Sequence, residues 1–312
     1  MPISDDELDS FKKLTDHFQS RKNRAAERLA QSTHPEWCFA IVGLETSLES
    51  FRFGDSLVFR KVIEPPGEIE LAAALRNQHL FGAVGRYSRL ITHEIAIQIR
   101  KETEDQFPFT VAWWIVSAIR VKTLAEFLVP VAADHSWSVI AALGGRECHV
   151  RFVEDVPQSQ RVDASIAVSQ ADFEWVTDRL DAFVKMLEVP RFRLAVDALT
   201  THQHLIRPRM MVASLWAGFE ALIGVQFEVS FRLALSIASV LEPRGADRVD
   251  LYRKAKKLYG IRSKAVHGAA MKDEDLLSHV GDVRKLLSRL LCSMIDAGAV
   301  LSEDEIERRI LE

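Results

Sequence analysis

Cysteine is scarce in this chain: Cys38, Cys148 and Cys292 are the only three in 312 residues. They are odd in number, far apart, and none stands in a CxxC pair. A disulfide framework and a zinc ribbon are therefore both unexpected, and a reducing compartment fits better. A long hydrophobic run is also missing. The longest uncharged apolar stretch, Phe107 to Ile119, has 13 residues, whereas a membrane-spanning helix takes about 20. The first residues, Met1-Pro2-Ile3-Ser4-Asp5-Asp6-Glu7, are acidic and lack the texture of a signal or transit peptide. These absences lead us to expect a cytoplasmic protein with no membrane segment. The net charge of −4 gives no overall cationic excess, so any nucleic-acid surface has to be local. The first half holds no phosphate loop, no GxGxxG and no nucleophile elbow. We expect no metal and no cofactor. No internal repeat or low-complexity tract is evident.

What remains is an ordinary folded composition, 48% hydrophobic and 27% charged, long enough for two domains. Residues 4–31 read as a peripheral helix. Ser4 and Glu7 suit a capping box, and Phe11, Leu14 and Phe18 fall at helical spacing. From Trp37 to Arg100 the texture is mixed. Two short strands flank the Gly54-Asp55 turn, Pro65-Pro66-Gly67 is a loop, and Ile91 to Arg100 alternates like a half-buried strand. A helix is expected from Thr110 to Val129, ended by Pro130, and a short strand from His149 to Val153. Pro157-Gln158-Ser159-Gln160 is a plausible boundary. Beyond Ser169 only helical signals occur. Helices are expected over 170–187, 190–199, 208–224, 227–241, 248–259 (ended by Gly260) and 273–297 (ended by Gly298), with a last short one capped by Ser302 and Glu305. The fold class is thus α+β: a mixed α/β region over 1–165, then an all-α helical bundle over 166–312.

Three features of the second half point to chemistry. The segment Tyr259-Gly260-Ile261-Arg262-Ser263-Lys264-Ala265-Val266-His267-Gly268 places an arginine and a histidine within two helical turns. Arginine offers a permanent forked cation to a phosphate, and histidine moves a proton near neutral pH. That pair suffices for RNA transesterification without a metal ion, although R-x4-H alone also occurs by chance. We expect both side chains at a helix start, lining a groove. Around them, Arg244 to Lys272 holds nine basic residues (Arg244, Arg248, Arg253, Lys254, Lys256, Lys257, Arg262, Lys264 and Lys272) against Asp247 and Asp250. Such a stretch either steers a polyanion or is a solvated helix face. Finally, Met210 to Ile223 is apolar nearly all round, with Glu220 its single charge. A buried carboxylate needs a partner, and Arg232 or Arg262 could supply it. That pair would either orient the site or be purely structural.

Taken together, Trp216-x-x-Phe219-Glu220-Ala221-Leu222, then Phe231-Arg232-Leu233-Ala234, then Tyr259-x-Ile261-Arg262-Ser263-Lys264-x-Val266-His267-Gly268 resemble the Apea-like branch of the HEPN superfamily across residues 170 to 300. The resemblance implies a dimerising helical bundle that acts as a metal-independent endoribonuclease, often in toxin–antitoxin or antiviral defence systems. It assigns catalysis to Arg262 and His267. The position after the arginine, frequently Asn in the family, is Ser263, which offers a phosphate fewer donors. With Glu220, Ser263 and Tyr259 in support, and Arg253, Lys256, Lys257 and Lys264 guiding the RNA backbone, the expected partners are RNA, a second copy of the chain, and a regulatory or antitoxin protein. The alternative is a non-catalytic HEPN module that binds nucleotide or a partner protein. The last long helix adds a motive for dimerisation. Five of seven positions between Leu286 and Cys292 are apolar, against about three per seven for a helix facing only its own core.

Overall fold

Strand-forming residues of the first half collect into one six-stranded antiparallel sheet of order β2-β3-β4-β1-β5-β6, formed by β1 (Glu36–Val42), β2 (Ser50–Arg52), β3 (Leu57–Lys61), β4 (Ile91–Gln98), β5 (Val131–Ala133) and β6 (Val150–Phe152). The computed structural model describes residues 5–32, 34–99, 105–145, 147–154, 166–225 and 227–311. It divides into two units, Met1–Ala112 with Phe127–Asp155, and Trp113–Glu126 with Val156–Glu312.

In the sheet unit, β1 is covered on both faces, and Trp37 to Ile41 are all buried. A strand buried on both sides shows no polar alternation, so the period-2 signal that marks the β2–β3 hairpin and β4 is missing from β1. The hairpin turns at Gly54, whose φ of +70° suits glycine. Helices α2 (Glu68–Ala74) and α3 (Phe81–Ser88) supply Leu71, Ala74, Val84 and Tyr87 to the core beneath the sheet, which also holds Cys38, Trp137 and Cys148. The alternation expected in β4 is corrected at Glu94. Its side chain is fully buried, ion-paired with Arg60 at 2.6 Å, and accepts hydrogen bonds from Ser136 Oγ and the Trp137 N–H.

Helix α1 (Asp5–Ala30) docks differently from its apolar spacing. Leu14 is 55% exposed and Phe18 is only partly covered. The attachment is Ala25, fully buried, with Arg21 on Glu70 at 3.0 Å and Arg24 and Arg28 on Glu64 at 2.6 and 3.1 Å. Arg24, and then Arg28, hold the Glu64 carboxyl down at about 2. The Ser4 cap, the Phe11 side chain, Arg100 and the Pro157–Gln160 boundary lie outside the described residues.

Helix α4 (Phe107–Thr123) starts earlier and ends sooner than expected. Leu124 adopts φ +61°, and Thr123 Oγ1 donates to the Ile119 carbonyl while accepting the Ala125 N–H. This hydroxyl-built stop turns the chain well before Pro130. The second half of α4 belongs to the helical unit.

Among the described residues every regular element from Gln170 onward is helical: α5 (Gln170–Met186), α6 (Pro190–Thr201), α7 (Pro208–Ile223), α8 (Val229–Leu241), α9 (Ala246–Val266), α10 (Asp273–Ala297) and α11 (Glu303–Leu311), with a short 3-10 turn at His202–His204. The boundaries follow local signals. Ser169 and Asp172 form a capping box, Pro190 and Pro208 open their helices, Gly224 and Gly298 close theirs in the left-handed region, and Ser302 is boxed with Glu305. Trp216, Phe219, Leu233, Ile237, Val283 and Leu287 are among the residues fully buried in this core. The apolar excess on α10 is satisfied inside the chain: Leu286, Leu287, Leu290 and Leu291 are all buried. Ser288 Oγ donates to the Val121 carbonyl, and the Cys292 sulfur lies 3.8 Å from the same oxygen. The end of α4 meets α10 at Ser288 and Cys292, the leucines are buried within the chain, and this particular motive for dimerisation falls away. No helix of the described residues is long and apolar enough to cross a membrane.

Candidate functional site at the end of helix α9

The expected helix stop at Gly260 is absent. Gly260 is helical, and α9 continues to Val266. A glycine inside a helix costs about 1 kcal/mol relative to alanine, and the burial of Ala255, Leu258 and Ala265 on one side offsets it. The true stop is Gly268, at φ +81°. The Ala269 N–H donates to the Lys264 carbonyl at 3.0 Å and the Gly268 N–H to Ala265 at 3.4 Å, which is a Schellman closure. Arg262 and His267 therefore occupy a helix end, not a helix start.

Arg209, from the first turn of α7, was not legible as part of this site. Its guanidinium donates to the carbonyls of Ala265 and Ala269, both at 2.6 Å. The Ala265 carbonyl belongs to the last turn of α9, which the dipole makes negative. The arginine therefore fixes the turn that carries the motif.

Glu220 selects Arg262, at 2.9 Å, while Arg232 pairs with Glu307 at 3.4 Å. Tyr259 Oη donates to the same Glu220 oxygen at 3.2 Å, and the Arg262 guanidinium lies 5.3 Å from the Tyr259 ring centre. Burial, then the Glu220 charge, raise the Tyr259 phenol above its ordinary value, so the ring stays a neutral donor. Glu220 is half-buried instead of core-enclosed, with 28% of its side chain exposed against 21% for Arg262. Arg262 Nε is buried without a hydrogen-bond partner. Behind this triad, Trp216 meets Tyr259 edge-on at 5.2 Å and donates its indole N–H to His279 Nε2 at 3.2 Å.

His267 is exposed, and its backbone N–H donates to Ser263 at 3.1 Å. At about 100° per residue, five positions put its side chain about 140° around the axis from Arg262. The burial pattern agrees: Arg262 lies on the side of the buried Ala255, Leu258 and Ala265, while Arg253, Lys256, Lys257, Lys264 and His267 are exposed. The structure thus joins Arg262, Glu220 and Tyr259 into one network and leaves His267 on the outward basic face. Ser263, between them, is partly buried. Two clefts, of about 590 and 810 Å³, are lined by other residues, so the expected groove around the motif is not one of them.

The basic run also divides. Arg244 donates to the carbonyls of Ile310 and Leu311, and Arg248 to those of Glu242 and Arg309, so both close helix ends. Lys254 pairs with Asp282, and Arg253 with Asp250, each at 3.3 Å in exposed positions where such pairs contribute little. Lys257 and Lys264 remain as outward cations on α9.

Among the described residues two groups have metal-ligand composition, Glu36/Cys38/Glu94 and Asp134/His135/Cys148, both in the sheet unit. Arg60 already bridges Glu36 and Glu94 in the first. Set against family models, curated proteins and solved structures, the chain matches none of them.

Proposed function

We propose that the helical unit is a metal-independent endoribonuclease of the HEPN type, acting in the cytoplasm in antiviral defence or toxin-like growth control. The observation that carries this reading is the end of α9. There a guanidinium fixed by Glu220 and Tyr259 precedes an exposed histidine by five positions, and Lys257 and Lys264 continue the outward face. In the proposed reaction a histidine takes the proton of a ribose 2′-OH and the oxygen attacks the adjacent phosphorus. The 5′-oxygen leaves with a proton, giving a 2′,3′-cyclic phosphate and a 5′-hydroxyl end. Arg262 stabilises the charge on the crowded phosphate. The divergence of Arg262 and His267 within one copy gives a second copy a role. Two α9 ends facing one another supply a guanidinium and an imidazole to the same phosphate. The sheet unit would sense a trigger or receive a restraining partner.

A second reading has its own support. The Glu220–Arg262 pair neutralises the guanidinium, as a structural tie in a non-catalytic module would. Incubation of the intact protein with total RNA in EDTA separates the two. The nuclease reading expects discrete fragments with cyclic-phosphate ends that disappear in His267→Ala. Intact RNA with folded native protein selects the non-catalytic module.

A further inference from the structure

We propose that Asp134, His135 and Cys148 form a mononuclear zinc site in the sheet unit, with its fourth coordination position toward the polar cleft beside it. One ligand atom from each of the three side chains lies within 4.8 Å of the others. A tetrahedral zinc ion with bonds of about 2.0–2.3 Å holds its ligand atoms roughly 3.3–3.8 Å apart. The Asp134–His135 pair, at 2.7 Å, has to open to that spacing, while any separation near the 4.8 Å limit has to close by about an ångström, both within the reach of side-chain rotation.

The backbone that carries them is fixed. Asp134 and His135 follow β5 directly, and the Asp134 N–H donates to the His149 carbonyl at 3.0 Å. Cys148 precedes β6, with its N–H on the Ala74 carbonyl and its own carbonyl accepting from Arg76, both at 2.9 Å. Asp134 Oδ1 accepts the His149 N–H at 2.9 Å and lies 2.7 Å from His135 Nδ1. Ligands on paired strands, oriented by such supporting bonds, are pre-arranged for an ion. Pairing of β5 with β6 unites residues that are distant in sequence, so no CxxC-like spacing announces them.

The donor set selects the metal. One thiolate, one imidazole and one carboxylate suit zinc, whereas magnesium and calcium take oxygen donors. Cys148 is fully buried. As a free thiol it is a poor nucleophile. As a ligand it gives up its proton, and the metal charge replaces that proton. In Glu36/Cys38/Glu94, by comparison, Arg60 already holds both carboxylates and donates to the Cys38 sulfur. Asp134 and His135 are each about a third exposed. With Ser136 they form part of the wall of the 810 Å³ cleft, which is also lined by Arg28, Arg52 and Arg60. Three protein ligands with an open fourth position is the arrangement of reactive zinc sites.

The intact protein should be titrated with zinc against a chromogenic chelator, and separately with cobalt as the spectroscopic probe. Expected are one ion per chain, tetrahedral cobalt bands, and a near-ultraviolet thiolate-to-cobalt transition that Cys148→Ser removes. His135→Ala, at a partly exposed position, should weaken zinc by about tenfold or more and abolish the zinc-induced rise in melting temperature. Failure of the native protein to bind zinc would overturn the proposal. So would binding that His135→Ala leaves unchanged, or a cobalt complex without the thiolate transition. None of these readouts depends on RNA cleavage.

Discussion

At the scale of single residues, Glu220 decides what Arg262 can do. Glu220→Gln keeps a hydrogen-bond acceptor for Tyr259 and removes the charge that anchors the guanidinium. Because the pair is half-buried, the expected stability loss lies between the exposed and buried limits, about 1–3 kcal/mol by urea unfolding. If Glu220 positions a catalytic arginine, RNA cleavage should fall about 10- to 100-fold with substrate affinity little changed; a purely structural tie predicts the stability loss alone. Two histidines make a separate residue-scale prediction. Burial lowers both His202 and His279 from 6.5 to about 4. The unfolded chain therefore binds these protons first as pH falls. Their stabilising contribution is complete above the ordinary imidazole value and declines from there down to about 4. Each ring accounts for on the order of 3 kcal/mol across that window. His279→Gln retains an acceptor for the Trp216 indole. The slope of unfolding free energy against pH should be shallower in this variant, and an unchanged slope would show that His279 does not titrate in this way.

At the scale of elements, three glycines of the helical unit should respond with different signs. Gly260→Ala adds a methyl group with no neighbour within 4 Å in a helix interior, so it should stabilise by about 0.5–1 kcal/mol. Gly268→Ala strains the left-handed closure of α9 and should cost about 1–2 kcal/mol. Gly218 sits where α7 crosses α6, and an added Cβ would lie 2.9 Å from Ala198 Cβ and 3.3 Å from Ala195 Cα. Overpacking there should cost about 1–3 kcal/mol. Thermal melts of the three variants check all of these. The same positions show what the sequence could convey. Helix ends marked by a side chain or by glycine, such as Ser169, Pro190, Pro208, Gly298 and Ser302, were legible because the signal is local. Gly260 misled because the same residue type serves as a stop and as a tolerated interior residue, and only the packing of Ala255 and Leu258 decides. β1 was silent because both of its faces are covered. At the candidate site, the Glu220–Arg262 partnership was legible as one of two options. The divergence of His267 and the grip of Arg209 depend on where α9 ends, and one misplaced stop hid both.

At the scale of the whole molecule, charge and burial act over longer distances. If the outward face of α9 contacts RNA, affinity should fall steeply with salt, and each lost phosphate contact should reduce the log–log slope by about 0.7 on single strands. Replacing Lys256 and Lys257 with Gln should therefore flatten the dependence by about 1.4, measured by fluorescence anisotropy over a salt series. An identical slope would mark the stretch as a solvated face. Inside the helical unit, Arg284 is fully buried and pairs with Glu126, whose side chain is 5% exposed. Removing one partner of a buried pair costs about 3–5 kcal/mol. Glu126→Ala should thus destabilise the helical unit far more than Asp250→Ala, which breaks an exposed pair, and differential unfolding of the two variants tests the ranking.

The assignment of Trp113–Glu126 to the helical unit also bears on how the protein is made. On the ribosome, β1 emerges early but cannot pair with β5 until the chain has passed Val131. The segment between them is synthesised first and must then wait. Its buried partners, Arg284 and Ser288 on α10, follow Glu126 and Val121 by 158 and 167 positions. During that interval an apolar stretch containing Trp113, Ile115, Val116, Ile119 and Val121 has no finished core to enter. A fragment beginning at residue 166 would lack the strip that meets α10, and would leave Arg284 without Glu126 and Ser288 without the Val121 carbonyl.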